Sequence, residues 1–302
     1  AAENGDVDSM IYLAKLCMEF PALFNTSDPI SWLKLAADRD HAQGQFLLAQ
    51  ALESGRGVVR DQKLAHHWLL KSAEHGLVVA QVALADKLMK GAGQSKDYSR
   101  AIQWLAAAAE QGDVRAQLMV GQAYCRRGET NDHAEAATWF SKAASQGNLN
   151  ATFLFATLLL DGRGVEQNEG RAYRLFQLAS KAGITEATRC EGECLLEGRG
   201  TPRDREAGIL LLKQAAQRGS SEAALTLGGL QADEDMEEDS AKLTANWIKL
   251  ACKLDPNNVR ALRKLSEAYR FGQGVEQSDN LAESLLEKAK GLEKFNSIVD
   301  EI

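Results

Sequence analysis

No apolar run in this 302-residue chain approaches the roughly 18 consecutive apolar positions of a membrane-spanning helix. Insertion into a bilayer within this chain is therefore not expected. Positive charge is also in short supply, with 35 basic against 42 acidic residues and a net charge of −7. Gripping a phosphate backbone takes a dense basic face, so nucleic acid is not an expected partner. The mild acidic balance serves solubility. Proline occurs four times, and no Pro- or Ser-rich linker interrupts the chain, so residues 1–302 read as one array. Catalytic signatures are missing as well. There is no Gly-x-Ser-x-Gly elbow, His-Glu-x-x-His helix or Walker loop. The histidines His41, His66, His67, His75 and His133 form no i, i+4 pair. The expectation is a protein with no catalytic residue, no cofactor and no metal.

What is present is a grid. Trp32, Trp68, Trp104, Trp139 and Trp247 are separated by 36, 36, 35 and 108 residues, the last being three times 36. Such regularity in a rare, bulky residue marks one supersecondary unit copied in tandem, and a period near 36 belongs to stacked helix arrays. Leu175, Leu211 and Leu285 complete the column, giving eight repeats.

Seven residues before this column stand Asn25, Asp61, Asp97, Asp132, Asn168, Asp204, Ser240 and Ser278. All are preferred N-cap types, so a helix (helix B) is expected to open there in every repeat. Four residues past the column the residue is always small, from Ala36 and Ser72 to Ala251 and Ala289, which lets another helix approach closely. Eight past it, Gly76, Gly112, Gly147, Gly183 and Gly219 supply the left-handed residue that ends a helix. Asp40, Asp255 and Glu293 hold that place in the other repeats. Helix A is expected to open four residues later, with repeats starting near 9, 44, 80, 116, 151, 187, 223 and 261. Its apolar residues recur at helical spacing. Residues 1–8 read as the end of a truncated preceding repeat, so the chain is expected to be a piece of a longer protein.

Between the helices lie Gly55-Arg56-Gly57-Val58, Gly162-Arg163-Gly164-Val165, Gly198-Arg199-Gly200-Thr201 and Gly272-Gln273-Gly274-Val275. A phosphate-binding loop would need a preceding strand, and none is expected here. The glycines are read as the turn that ends helix A.

The unit Ala-x-x-x-Leu-Gly/Ala…Gly-x-Gly-Val…Ala-x-x-Trp-x-x-x-Ala-Ala-x-x-Gly resembles the Sel1-like repeat, a longer relative of the tetratricopeptide repeat, most clearly at 44–79, 80–115, 151–186 and 187–222. The resemblance implies an all-α, right-handed α/α solenoid acting as an adaptor. It leaves two other readings open: a factor in bacterial envelope assembly, such as polysaccharide export or secretion, and a hydrolase. Some secreted relatives carry a regularly spaced cysteine pair per repeat. The five cysteines here (Cys17, Cys125, Cys190, Cys194, Cys252) have no such period, which favours a reducing compartment such as the cytoplasm. A signal segment upstream would place the chain in the periplasm or outside the cell.

In tetratricopeptide arrays helix A lines a concave groove, and the same register here selects its wall for a protein or peptide partner. Met18, Phe46, Gln50, Glu53, Asp86, Met89 and Gln122 fall in the earlier repeats. Phe153, Thr157, Leu160, Arg263 and Arg270 follow in the later ones. Met and aromatic side chains adapt to apolar segments, while Arg263 and Arg270 would pair with acidic groups. Three local features stand apart. Cys190 and Cys194 share a helix face and supply half a zinc site at most. Glu191 sits where other repeats are apolar: either it has a partner, such as Arg189 or a residue of a neighbouring repeat, or the sixth helix A is locally exposed and usable for binding. The acidic run 233–239 reads as a solvated loop.

Overall fold

The computed structural model describes residues 6–19, 29–91, 96–232 and 238–300. They form sixteen α-helices and, among the described residues, no strand. Two compact halves, Ala1–Gln146 and Gly147–Ile302, divide the chain. The first contains α1 (Val7–Glu19), α2 (Pro29–Asp38), α3 (Ala42–Ser54), α4 (Gln62–Glu74), α5 (Val78–Lys90), α6 (Tyr98–Glu110), α7 (Val114–Arg127) and α8 (Asp132–Ser145). The second contains α9 (Leu149–Asp161), α10 (Glu169–Lys181), α11 (Thr185–Glu197), α12 (Arg205–Gln217), α13 (Ser221–Ala232), α14 (Glu238–Leu254), α15 (Val259–Phe271) and α16 (Asp279–Asp300). Odd-numbered helices are the A helices and even-numbered ones the B helices. Within each half, every A packs on its own B and every B on the next A.

Eight helix pairs therefore match the eight tryptophan-column repeats. Each helix A opens two residues before the expected start, at 42 rather than 44 and at 78 rather than 80. The cause is the cap. The chain leaves the left-handed glycine, passes one extended residue such as Asp113 or Asn148, and becomes helical at once. Those two side chains accept from the N–H of Ala116 and Ala151, satisfying a first-turn donor.

Helix B starts follow the capping column at Asp61, Asp97, Asn168 and Asp204, whose side chains accept from the third residue on. Ser278 does the same at 3.4 Å. Two positions differ. Ser240 lies inside α14, which opens at Glu238. Asp132 is the first residue of α8, and its buried carboxylate turns inward to accept from Arg127 at 2.5 Å and from the Glu129 N–H at 2.8 Å. That pair closes the turn of the fourth repeat, residues 128–131 between α7 and α8, which is shorter than the turn of residues 55–61 between α3 and α4. Asn25 lies outside the described residues, as does most of the acidic run.

The core is built on small residues. The alanine column (Ala36, Ala108, Ala143, Ala179, Ala215, Ala251, Ala289, with Ser72) is fully buried. The residue after the tryptophan column is the main filler: Leu33, Leu69, Leu105, Phe140, Phe176, Leu212 and Ile248 are all buried, while most of the tryptophans are half-exposed. Burying each such leucine stabilises by about 1.5–3 kcal/mol. Size is exchanged across the contact. Gly121 faces the larger Phe140, whose ring would lie 2.5 Å from a β-carbon there.

Sequence reading missed a polar spine between repeats of the first half. Gln45, Gln81 and Gln117 are buried at the start of successive A helices. Their amides donate to the carbonyls of Ala37, Ala73 and Ala109 at the end of the preceding B helix, at 3.3, 3.2 and 3.3 Å. Their carbonyl oxygens meet His75 Nδ1, Gln111 Nε2 and Gln146 Nε2 one repeat later, at 2.8, 3.2 and 2.8 Å. The helix-end carbonyls, which have no intrahelical partner, thus gain a donor from the next repeat.

Candidate interaction face

The Gly-x-Gly segments are turns, as expected. The first glycine caps helix A in the left-handed region, and the helix B cap residue donates back to helix A, as Asp204 N–H does to Leu195 O at 2.9 Å. The second glycine is needed for closeness. A β-carbon on Gly200 would lie 2.2 Å from Glu169 O, because the turn rests on the start of the preceding helix B. The arginine between them also reaches back one repeat: Arg199 donates to Leu160 O at 2.9 Å and to Glu169 at 3.1 Å, and Arg56 donates to Met18 O.

In the first half, the inner positions of α1 and α3 form an open cleft of about 630 Å³ lined by Lys15, Met18, Gln50, Glu53, Ser54 and Arg56, among others. Met18, Gln50 and Glu53 thus line one cleft, and Arg56 of the turn, which the sequence register did not select, joins them. Lys15 and Gln50 are exposed. Glu53 is bridged to Lys87 of α5 at 2.7 Å, and Asp86 to Lys90 at 2.6 Å. The side-chain carboxamides of Gln50 and Gln122 form no hydrogen bond among the described residues. Their carboxamides are available in both senses, as donor and acceptor.

The apolar members of the face are partly structural. Phe46 packs on the cluster around Leu69 and Leu84, and Met89 on the one around Leu105 and Val120. Ile11, Leu196 and Leu225, which share the groove register, are buried.

In the second half, Phe153 is half-buried with its ring 6.0 Å from Phe176. Half-buried Thr157 donates to Leu154 O at 2.7 Å, and Leu160 offers the carbonyl already taken by Arg199. Arg263 and Arg270 are both exposed, and Arg263 is held by both carboxylate oxygens of Glu293, at 3.0 and 2.7 Å. That pairing lowers the Glu293 carboxyl below its ordinary range. Arg189 does not pair with Glu191. It pairs with Glu186 and Glu193, both at 2.6 Å, and these in turn accept from Ser220 and Thr226 of the next repeat.

Burial pushes the Cys190 thiol up to about 12 and the Cys194 thiol up to about 11. Thiolate, the form that binds metal or attacks an electrophile, is therefore scarce there at neutral pH. Among the described residues no group of three or more His, Cys, Asp or Glu is placed to hold a metal ion, and no helix is long and apolar enough to cross a membrane.

The Sel1 repeat family model matches residues 42–77, 78–113, 114–148, 151–184, 192–220 and 259–290, more than half of the chain. The chain belongs to the Sel1 repeat family. The matched segments begin at the observed starts of α3, α5, α7 and α15. Among solved structures, a Sel1 repeat protein from Oxalobacter formigenes is 24% identical, with 99% of this chain and 88% of that one aligned at a TM-score of 0.75. A protective antigen present in uropathogenic Escherichia coli strains, displaying an SLR fold, is 25% identical over 96% of this chain at a TM-score of 0.68. This Sel1 repeat chain spans 62% of that antigen's length. Yeast Tom70 shares the fold at 16% identity, 90% of this chain, 58% of its own and a TM-score of 0.51. A comparison with curated protein sequences returns no match. Sel1 and related helical repeats generally serve as protein-interaction scaffolds.

Proposed function

We propose that this chain is a non-enzymatic adaptor that holds a protein segment on the helix-A face of its first half, centred on the cleft between α1 and α3. The observation that carries the reading is the composition of that cleft. Lys15 and Gln50 stand exposed beside Met18, while Glu53 is already neutralised by Lys87. A carboxamide that donates and accepts suits the peptide groups of an extended segment. The thioether adapts to an apolar side chain, and Lys15 adds a preference for an acidic one. Gln122 would extend the polar contacts two repeats along the same half.

Phe46 and Phe153 are poor positions for a test, because both contribute to packing. The better variant is Lys15→Glu with Gln50→Ala, which touches only exposed side chains. Affinity capture from the native host's lysate should recover a partner with the parent chain and lose it with this variant, after both are shown to melt alike. Equal recovery by both would place the contact elsewhere and overturn the proposal.

A further inference from the structure

The solvent face of the B helices in the second half carries a feature that the inner-face reading does not use. Leu178 of α10 is 54% exposed, Leu210 of α12 57%, Leu243 of α14 42% and Leu281 of α16 49%. A single exposed leucine is ordinary. Here each of four consecutive B helices presents one. They stand three after, one before, four before and four before the tryptophan-column residues Leu175, Leu211, Trp247 and Leu285. At about 100° per residue those offsets fall within about 60° of one another, opposite the arc that packs Phe176, Leu212 and Ile248. The leucine steps along its helix by about one turn from α10 to α12 and again from α12 to α14, so the first three trace a diagonal line, and Leu281 of α16 stands level with Leu243.

Around the first three of these leucines the flanks are basic, in a chain whose net charge is −7. Arg171, Arg174 and Lys181 on α10, Lys213 on α12, and Lys249 and Lys253 on α14 are exposed. Among the described side chains of these three helices Glu206 is the exposed carboxylate, and Glu169 is engaged by Arg199 at 3.1 Å; on α16 exposed Asp279, Glu283 and Glu287 stand around Leu281, so the basic flank belongs to α10, α12 and α14.

We propose that this outer face of the second half is a docking surface for an acidic amphipathic helix of a partner protein. A helix is favoured over an extended segment for a backbone reason. The middle of a helix surface offers no free backbone N–H or C=O, so a chain whose own backbone bonds are internal lies on it at less cost than an extended one. Consecutive B helices are joined through the A helix between them, so the partner helix must be long enough to cross three of them, with one apolar stripe towards Leu178, Leu210 and Leu243 and carboxylates on its shoulders over the arginines and lysines.

The probe is a synthetic 21-residue helix with leucines on one stripe and glutamates beside it, labelled for anisotropy titration against the whole chain. Saturable binding is expected, weakened about tenfold or more by Leu178→Ser/Leu210→Ser/Leu243→Ser and weakened by added salt. Arg174→Glu/Lys213→Glu gives the same loss without altering any apolar group, so the test survives if the leucine variant folds poorly. Lys15→Glu/Gln50→Ala leaves binding unchanged, separating this surface from the inner cleft. Absence of binding, or binding that both outer-face variants leave intact, overturns the proposal. So does binding to vesicles of equal parts phosphatidylglycerol and phosphatidylcholine, lost in the same variants, without binding of the peptide.

Discussion

Replacing Gly200 with alanine separates a structural turn from a ligand-binding loop. Gly200 has φ +71°, where a β-carbon costs about 1–2 kcal/mol. Part of that cost is offset by about 0.4–1 kcal/mol, because alanine also restricts the unfolded chain. Gly219 at φ +100° has nothing within 4 Å of its notional β-carbon, so Gly219→Ala isolates these backbone terms and should lose about 1 kcal/mol. At Gly200 the new carbon would meet Glu169 O at 2.2 Å and Gly170 N at 2.7 Å, both backbone atoms that cannot rotate away. The turn must lift by about 1 Å to restore ordinary contact. Lifting it stretches the Arg199 bonds to Glu169 and Leu160 O, each a charged hydrogen bond worth about 1.5–3 kcal/mol. A total loss of about 3 kcal/mol or more is expected for Gly200→Ala, read from urea unfolding followed by circular dichroism. Equal losses in the two variants would mean that the turn does not rest on α10, and the structural account of the Gly-Arg-Gly segment would fail.

Gln81→Leu should lower stability by about 1–2 kcal/mol, since Gln111 retains acceptors at Gly76 and Ala107; Gln50→Leu on the surface should change the thermal midpoint little, and equal effects would deny the spine its role. Asp132 is held below its ordinary value of 3.8 first by the hydrogen bond from Arg127. Its contribution is therefore full above that ordinary value and fades as pH falls through the depressed folded-state value. Asp132→Asn should cost about 2 kcal/mol at pH 7 and progressively less as pH falls below 3.8 in urea titrations, and a pH-independent cost would contradict the assignment. Cys190 and Cys194 should resist an alkylating agent at pH 8 until urea is added; labelling of both at the rate of a free thiol in the native protein would show that they are not buried.

Local signals carried most of the fold. Asp61, Asp97, Asn168 and Asp204 were legible as caps because a cap bond spans three residues of its own helix. Asp132 fits the same column yet plays another part, because the fourth turn is shorter and its carboxylate is drawn to Arg127, five residues away, and inward. The inner face was only half legible. Periodicity places Phe46 and Leu225 on the same stripe but does not say that Leu225 is covered and Phe46 half so; that depends on which neighbouring side chains are large. The glutamine spine had a sequence signal that went unused, Gln45, Gln81 and Gln117 recurring every 36 residues. The partner of Arg189 had several carboxylates to choose from within one turn, and geometry alone decided it.

The spine has a consequence for how such a chain changes length. Because Gln45, Gln81 and Gln117 make the same joint in three successive places, excising residues 78–113 would bring Gln117 into the place of Gln81 with its amide on Ala73 O, while His75 keeps Gln45 and Gln146 keeps Gln117. Whole-repeat deletion or duplication in this half therefore leaves every seam chemically intact, whereas a gain or loss of a few residues breaks one. A gene built this way can vary its span in steps of one repeat and refold at each step.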